Sequence, residues 1–347
     1  MILSVLALLL ALSIVAATGT GAVTIPPGEV AGAILGGLDG LRLPVGGLVP
    51  RAVASLVEDV PATHRTIILS VRLPRVVLAA LVGMSLAVAG TTFQGLFKNP
   101  MADPYVIGVS SGAALGACVA ILTSLDLNFL GVGAVPAFAF VGALAAVAVV
   151  YRLACRGNRV PVTTLLLSGI AVGSFLSAIV SLLVFFSGQQ LHQVTFWLMG
   201  GFSARGWDYV KICLPYMAVG SIVISIFARD LNALVLGEEP AQHLGVDVER
   251  VKGILLLTAS LLTAAAVSVS GLIGFVGLIV PHICRIIAGP DHRTLLPAAA
   301  LMGALFLVGS DTLARVVVAP NELPVGIVTA LFGGPFFIYL LHRKGGL

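Results

Sequence analysis

Charge is what this sequence has least of. Only 10% of its 347 residues are Asp, Glu, Lys or Arg, while 59% are apolar. A soluble domain carries about 25% charged residues, so this chain cannot cover a surface in water. It is an integral membrane protein. Lipid offers no partner to an unbonded backbone group, so only helices and closed barrels cross it. The alternation of apolar and polar residues that marks a barrel strand is missing. The apolar runs instead continue for about 20 residues, the length of one helical crossing.

Catalytic and energy-supplying motifs are missing too. The four lysines, Lys98, Lys211, Lys252 and Lys344, follow Phe97, Val210, Val251 and Arg343. A P-loop needs Gly-Lys followed by Ser or Thr, so there is no nucleotide site of that type. HExxH is absent. Cys118, Cys155, Cys213 and Cys284 show no CxxC spacing and point to neither a disulfide framework nor a zinc site. Gly108-Val109-Ser110-Ser111-Gly112 matches GxSxG, but a nucleophile elbow needs a strand-to-helix turn, and this match lies in a predicted span. No enzyme activity is expected. The net charge of +4 suits basic membrane loops and does not call for nucleic acid.

Ion-driven carriers need carboxylates within the bilayer. Of the fifteen acids, fourteen lie in loops or at helix ends, and Asp311 is the exception. It sits near one end, close to Arg315, where a neutral interfacial pair accounts for it. The chain therefore lacks both an ATP site and an ion-coupling site, and energy for transport would have to come from a partner.

What is present is a series of ten apolar blocks near 1–20, 67–95, 105–125, 132–154, 162–186, 208–228, 252–270, 272–289, 294–318 and 324–341. This is an all-α polytopic fold, one transmembrane domain over residues 1–347. Residues 1–20 lack a basic n-region and read as a first span, with a cleaved signal as the alternative. Residues 21–65 form a polar external segment, in which VTIPPGEVAGAIL and PRAVASLVEDV read as short surface helices. Ten crossings put both termini on one side, and Lys and Arg counts in the loops favour the cytoplasm. Small residues recur at four-residue spacing in Gly108/Gly112/Gly116, Gly169/Gly173/Ser177/Ser181 and Gly326/Ala330/Gly334. Such stripes let helix backbones approach closely. Residues 67–186 and 252–341 each hold four spans starting on opposite faces, which permits an inverted repeat.

The most charge-dense run is Arg229–Lys252. Leu234, Leu236, Ala241 and Leu244 give it an apolar face, Pro240 breaks it, and Gly237 and Gly245 mark helix stops. Two short amphipathic helices at the membrane edge suggest a docking surface; a long solvated loop is the plainer alternative. At the other face, Arg72 and Arg75 lie three residues apart, on one side of a helix. They could snorkel to the interface or receive carboxylates from an external protein.

RLPRVVLAALVGMSLAVAGTTFQGLFKNPMADPYVIGVSSGAALG resembles the FecCD family of permeases. LVLGEEPAQHLGV, GLIGFVGLIVPHICRIIAGPDHR and ELPVGIVTALFGGPFFIYLL continue the likeness in order. It covers the chain from about residue 60, with Met101 where Leu is usual. Residues 21–60 match poorly. These permeases are membrane subunits of ATP-binding-cassette importers for ferric siderophores, haem and cobalamin.

The resemblance implies a type II importer permease fold with ten spans per subunit, in the cell membrane. It implies a homodimer with two cytoplasmic ATPase subunits, which bind ATP and Mg, and an external substrate-binding protein. The chain itself would bind no cofactor or metal. Leu236, Gly237, Glu238, Glu239, Ala241, Leu244 and Gly245 would couple to the ATPase. Arg72, Arg75 and Arg315 would face acids of the binding protein. The loop Val162-Thr163-Thr164 would form the cytoplasmic gate. An ion-coupled secondary carrier is the alternative. Among the histidines, His282 reads as a structural side chain near a kink, and His192 lies on the outer side, where it could touch cargo. His64, His243, His292 and His342 read as solvated. Phe185, Phe186, Phe196, Trp197 and Phe202 cluster near the outer mouth, as an interfacial belt or a cargo lining.

Overall fold

The computed structural model describes residues 1–21, 23–39, 60–125, 128–129, 131–157 and 160–344. The helix expected in PRAVASLVEDV falls almost wholly outside them. The other external helix forms as α2, Pro27–Asp39. The spans are α1 (Ile2–Gly19), α4 (Leu73–Leu96), α5 (Val109–Leu122), α6 (Ala134–Ala154), α7 (Val162–Phe185), α9 (Trp207–Ile226), α12 (Val248–Ser270), α13 (Val276–Ala288), α14 (His292–Val316) and α15 (Val325–Lys344). Short helices α3 (Ala62–Thr66), α8 (Leu191–Met199), α10 (Ala228–Leu236) and α11 (Glu238–His243) complete the set. Seven helical segments are long and apolar enough to cross a membrane, and three shorter apolar helices, α5, α13 and α15, bring the crossings to ten. The strands among the described residues are one two-residue hairpin, Asn128–Phe129 with Val132–Gly133.

Two of the predicted blocks are broken spans. In the first, a 3-10 turn at Pro104–Ile107 precedes α5, and Gly108 between them adopts a left-handed φ of 85°. In the second, α12 ends at Gly271, and Phe275 takes a left-handed φ of 70° before α13 begins. A bulky residue there is strained and persists only where packing fixes it. The breaks meet: the Tyr105 hydroxyl donates to the Ile273 carbonyl at 2.8 Å and accepts from the Ile273 N–H at 3.2 Å. Non-helical backbone at this depth needs such internal partners. The broken span is the second of the four in each half.

Helix α4 is the hub. It packs against α14, α12, α13 and α9, and nearly all of its residues are buried. A Cβ on Gly83 would overlap the Gly303 backbone of α14, and one on Gly90 the Gly277 backbone of α13. Neither glycine belongs to a predicted stripe. Of the stripes, Gly112 and Gly116 do seat α5 on α6, while Gly108 caps a helix. Gly169 and Gly326 each meet a neighbouring backbone, but Gly334 faces open space.

The far end of α1 is gripped by arginines. Arg72 ends a π-helical turn, Ile67–Arg72, that leads into α4. Its guanidinium donates to the carbonyls of Thr18 and Gly19, both at 3.1 Å, and of Val23 at 2.6 Å. Arg315 of α14 donates to Ala17 and Thr20, both at 3.0 Å. Ala17, Thr18 and Gly19 are among the last four residues of α1, whose carbonyls have no partner within the helix. External helix α2 packs above, where Ile25, Val30, Ala33 and Ile68 form a small separate cluster. His64 pairs there with Glu29 and is not a solvated residue.

Gly90→Ala should overpack the α4–α13 crossing and cost about 1–3 kcal/mol, read as a lower thermal midpoint in detergent. Gly253→Ala, with open space around it, should leave the midpoint unchanged or raise it. Arg72→Ala should strand buried carbonyls at about 1–3 kcal/mol each and speed proteolysis within residues 20–26. Wild-type digestion kinetics would count against the grip on α1.

Candidate functional site

The end of the bundle that carries α10 and α11 is built on a charged clamp. Gly237, at φ 143°, ends α10 and starts α11. Pro240 does not break the run; it lies in the first turn of α11, where its missing N–H is not needed. The expected single apolar face divides. Leu234 and Ala241 turn inward and are buried, whereas Leu236 and Leu244 point out at 71% and 68% exposure.

Two anchors fix these helices to different spans. Lys252 of α12 is buried, and its Nζ lies 2.6 Å from Glu238 and 3.6 Å from Glu249. At the second anchor, the Asn232 amide of α10 donates to Asp291 at 2.7 Å, while its oxygen accepts the His292 N–H at 2.9 Å. His292, expected in solvent, is therefore buried and bonded to Asn232. The Arg293 backbone N–H and the Asn232 amide hold the exposed Asp291 carboxyl below the usual aspartate range.

Val162, Thr163 and Thr164 are not a loop. They are the first turn of α7, with Pro161 as its N-cap. The turn is tied to the clamp, because the Val160 N–H donates to Glu249 at 3.4 Å. Most of the α7 surface is uncovered in the single chain. The uncovered side carries Thr163, Ser174, Ser177 and Ser181 beside Leu167, Phe175 and Leu182. A purely lipid-facing helix would not spread hydroxyls along its exposed length.

At the opposite end, Arg72, Arg75 and Arg315 do not form one exposed row. All three are buried. Arg72 and Arg315 are occupied by α1 carbonyls. The Arg75 Nε and Nη2 atoms donate to Asp311 at 3.0 and 2.9 Å, and Nη1 donates to Glu322 at 2.9 Å. Asp311 also lies 3.2 Å from Arg315 Nε. The sequence pairs Asp311 with Arg315 alone, so Arg75 is the addition. The Asp311 side chain is 1% exposed and the Glu322 side chain 39%. Glu322 accepts a further bond from Ser203 Oγ at 2.7 Å. Partial burial raises the Glu322 carboxyl, but Ser203 and Arg75 outweigh it and leave its pKa below the usual glutamate value.

Beside this group lies a cavity of about 480 Å³. Arg75, Glu322, Ser203, Arg205, Trp197 and His192 are among its walls. His192 stacks on Phe196 at 4.2 Å. Trp197 and Phe202 are core residues, while Phe185, Phe186 and Phe196 are exposed. Sequence reasoning missed Asn232, Glu249, Ser203, Arg205 and Glu322 as site residues. The i,i+3 spacing of Glu249 and Lys252 was a readable signal; the others meet only through the fold. Among the described residues, no group of three or more His, Cys, Asp or Glu is placed to hold a metal.

Comparison with known proteins gives these arrangements a setting. The model of the FecCD transport family matches residues 8–343. The chain is 51% identical over 302 residues to a cobalamin import system permease protein of Halobacterium salinarum, covering 87% of this chain and 80% of the relative. It is 45% identical over 280 residues to a hemin transport system permease protein of Yersinia pestis, covering 80% and 83%. A metal-chelate type ABC transporter solved in an inward-facing conformation superposes with a TM-score of 0.83 at 30% identity, over 99% of both chains. A match across nearly the whole length, in sequence and in fold, means that this chain belongs to the FecCD transport family.

Proposed function

We propose that this chain is the permease subunit of an ATP-binding-cassette importer for an iron chelate or a corrinoid. The observation that carries the reading is the α10–α11 surface: exposed Leu236 and Leu244 on a short charged segment anchored from beneath by Lys252 and Asn232. Exposed apolar residues rimmed by charge mark a protein contact. The partner that fits is a cytoplasmic ATPase, because the chain has no P-loop of its own. This puts α10, α11 and both termini in the cytoplasm and the arginine end outside. Glu238, Glu239, Gly237 and Gly245 shape the seat; Ala241 supports it from within.

Two copies would face each other across α7. That places its hydroxyl-bearing side on a shared aqueous pathway and leaves Val162, Thr163 and Thr164 at the cytoplasmic mouth. Movement of α11 reaches that mouth through Glu238, Lys252, Glu249 and the Val160 N–H. The chain itself performs no covalent chemistry and needs no cofactor. An external binding protein would deliver cargo at the arginine end. The buried arginines there serve mainly to build the surface, since their guanidiniums are already engaged. A secondary carrier is disfavoured, because Asp311, the one buried acid among the described residues, is consumed by two arginines.

Leu236→Asp with Leu244→Asp should abolish co-purification of the ATPase while the permease stays monodisperse. Lys252→Met should keep the ATPase bound but cut cargo-stimulated hydrolysis and transport about tenfold, through loss of a buried charge pair. Lys252→Arg should recover part of it. Wild-type coupling in Lys252→Met would refute the clamp as a transmission element.

A further inference from the structure

Another cavity lies at the α10 end of the bundle, in the angle between the end of α9, the start of α10 and the first turns of α14. Its volume is about 210 Å³, and Ser225, Ile226, Arg229, Arg293, Leu296 and Pro297 are among its walls. Arg229 stands in the first turn of α10 and Arg293 in the first turn of α14. Both are exposed. Among the described residues, no carboxylate lies within ion-pair distance of either guanidinium. Asp291 is close by, but its carboxylate is turned to the Asn232 amide and the Arg293 backbone N–H. Asp230 follows Arg229 and is not a wall of the cavity. Two acceptors border the same space. Ser225 Oγ gives its proton to the Ser221 carbonyl at 2.7 Å and keeps lone pairs that can accept. Pro297 has no N–H to offer the Arg293 carbonyl four residues before it.

We infer that this cavity holds the head group of an anionic phospholipid, its phosphate on Arg229 and Arg293. The inference rests on the importer reading above, which puts this end of the bundle at the cytoplasmic leaflet. Charge complementarity selects the occupant: two guanidiniums from separate helices, neither paired with an acid, fit a phosphate diester, and basic pockets between spans on this side of a membrane take such head groups. The walls select lipid over a soluble anion. Ile226, Leu296 and Pro297 give the cavity an apolar flank. From Ala218 to Ile226 the exposed side chains of α9 are aliphatic apart from Ser225, whose hydroxyl is returned to its own helix. A free phosphate would leave that stripe unused, whereas an acyl chain lies along it. The uncovered side of α7, with its spread of hydroxyls, has no such character. A head group bearing hydroxyls, such as glycerol, also has donors for Ser225 Oγ and the Arg293 carbonyl. Asn232 already ties α10 to Asp291 and His292 from within the fold. The lipid ties the same two helices from the membrane side, so the ATPase seat is steadied by the charge of the leaflet beneath it.

The test uses the permease–ATPase complex from nanodiscs of phosphatidylcholine and phosphatidylglycerol, with the lipid retained after mild detergent exchange counted by native mass spectrometry. The wild-type complex should retain phosphatidylglycerol in preference to phosphatidylcholine. Arg229→Gln with Arg293→Gln should cut that retention about tenfold, and Lys at both positions should keep most of it. Arg152→Gln with Arg156→Gln, at exposed arginines that are not walls of this cavity, should leave retention unchanged. Wild-type retention in the Arg229 and Arg293 double variant overturns the site; if that variant instead loses the ATPase, both arginines belong to the motor contact. An equal loss in the Arg152 and Arg156 variant also overturns it, since the attraction would then belong to basic loops in general. If inorganic phosphate raises the thermal midpoint of the detergent-solubilised complex as far as phosphatidylglycerol does, the cavity takes a free anion and the lipid site is refuted. A chain that purifies with no ATPase sinks the importer reading itself, while the count of retained lipid still decides the site.

Discussion

Helices in lipid gain nothing by hiding apolar surface from one another, so close backbone contact must supply the attraction. Much of this structure follows from that constraint. Helix α4 reaches α14 through Gly83 and Gly303, and α13 through Gly90 and Gly277, at separations that admit no side chain. With α4 sealed on several sides, the polar devices at the two ends of the bundle acquire fixed positions. The broken spans depend on the same packing. Their unpaired backbone groups are served by Tyr105, which the close approach of Pro104 to Gly277 brings against Ile273.

The few charges are then distributed by the cost of burying them. Asp311 sits inside the bundle only because Arg75 and Arg315 both reach it. Arg72 and Arg315 are tolerated because five carbonyls around the end of α1 absorb their donors. At the other end, Lys252 is paid for by Glu238 and Glu249. Each buried cation thereby ties separate elements together, and satisfying a charge and fixing geometry become one event.

The two ends differ in how they meet the outside. One presents Leu236 and Leu244 on short helices held from below, a surface that can be pushed as a unit. The other presents a half-exposed ion pair, Arg75 with Glu322, beside a cavity. The first suits a strong, apolar, lasting contact; the second suits a charged and reversible one. Such a division matches a transporter with a resident motor and a visiting delivery partner.

Sequence alone determined the membrane, the helices and their number, because apolar runs of crossing length leave a chain no other solution. It also placed the short helices of 228–243, where Gly237 and Gly245 supply positive φ at no steric cost. The family motifs in 72–116, 234–246, 271–293 and 322–341 were legible for the same reason: they are local strings. What only the tertiary structure decided is which polar atoms meet. Arg72 and Arg75 are neighbours in the chain, yet one holds α1 and the other holds Asp311 and Glu322, 236 and 247 residues away. Val162–Thr164 read as a loop but fold as a helical turn, since Pro161 starts a helix as readily as it ends one. Leu234 and Leu236 look alike in sequence, and one is core while the other is surface, because burial depends on what the remaining helices cover.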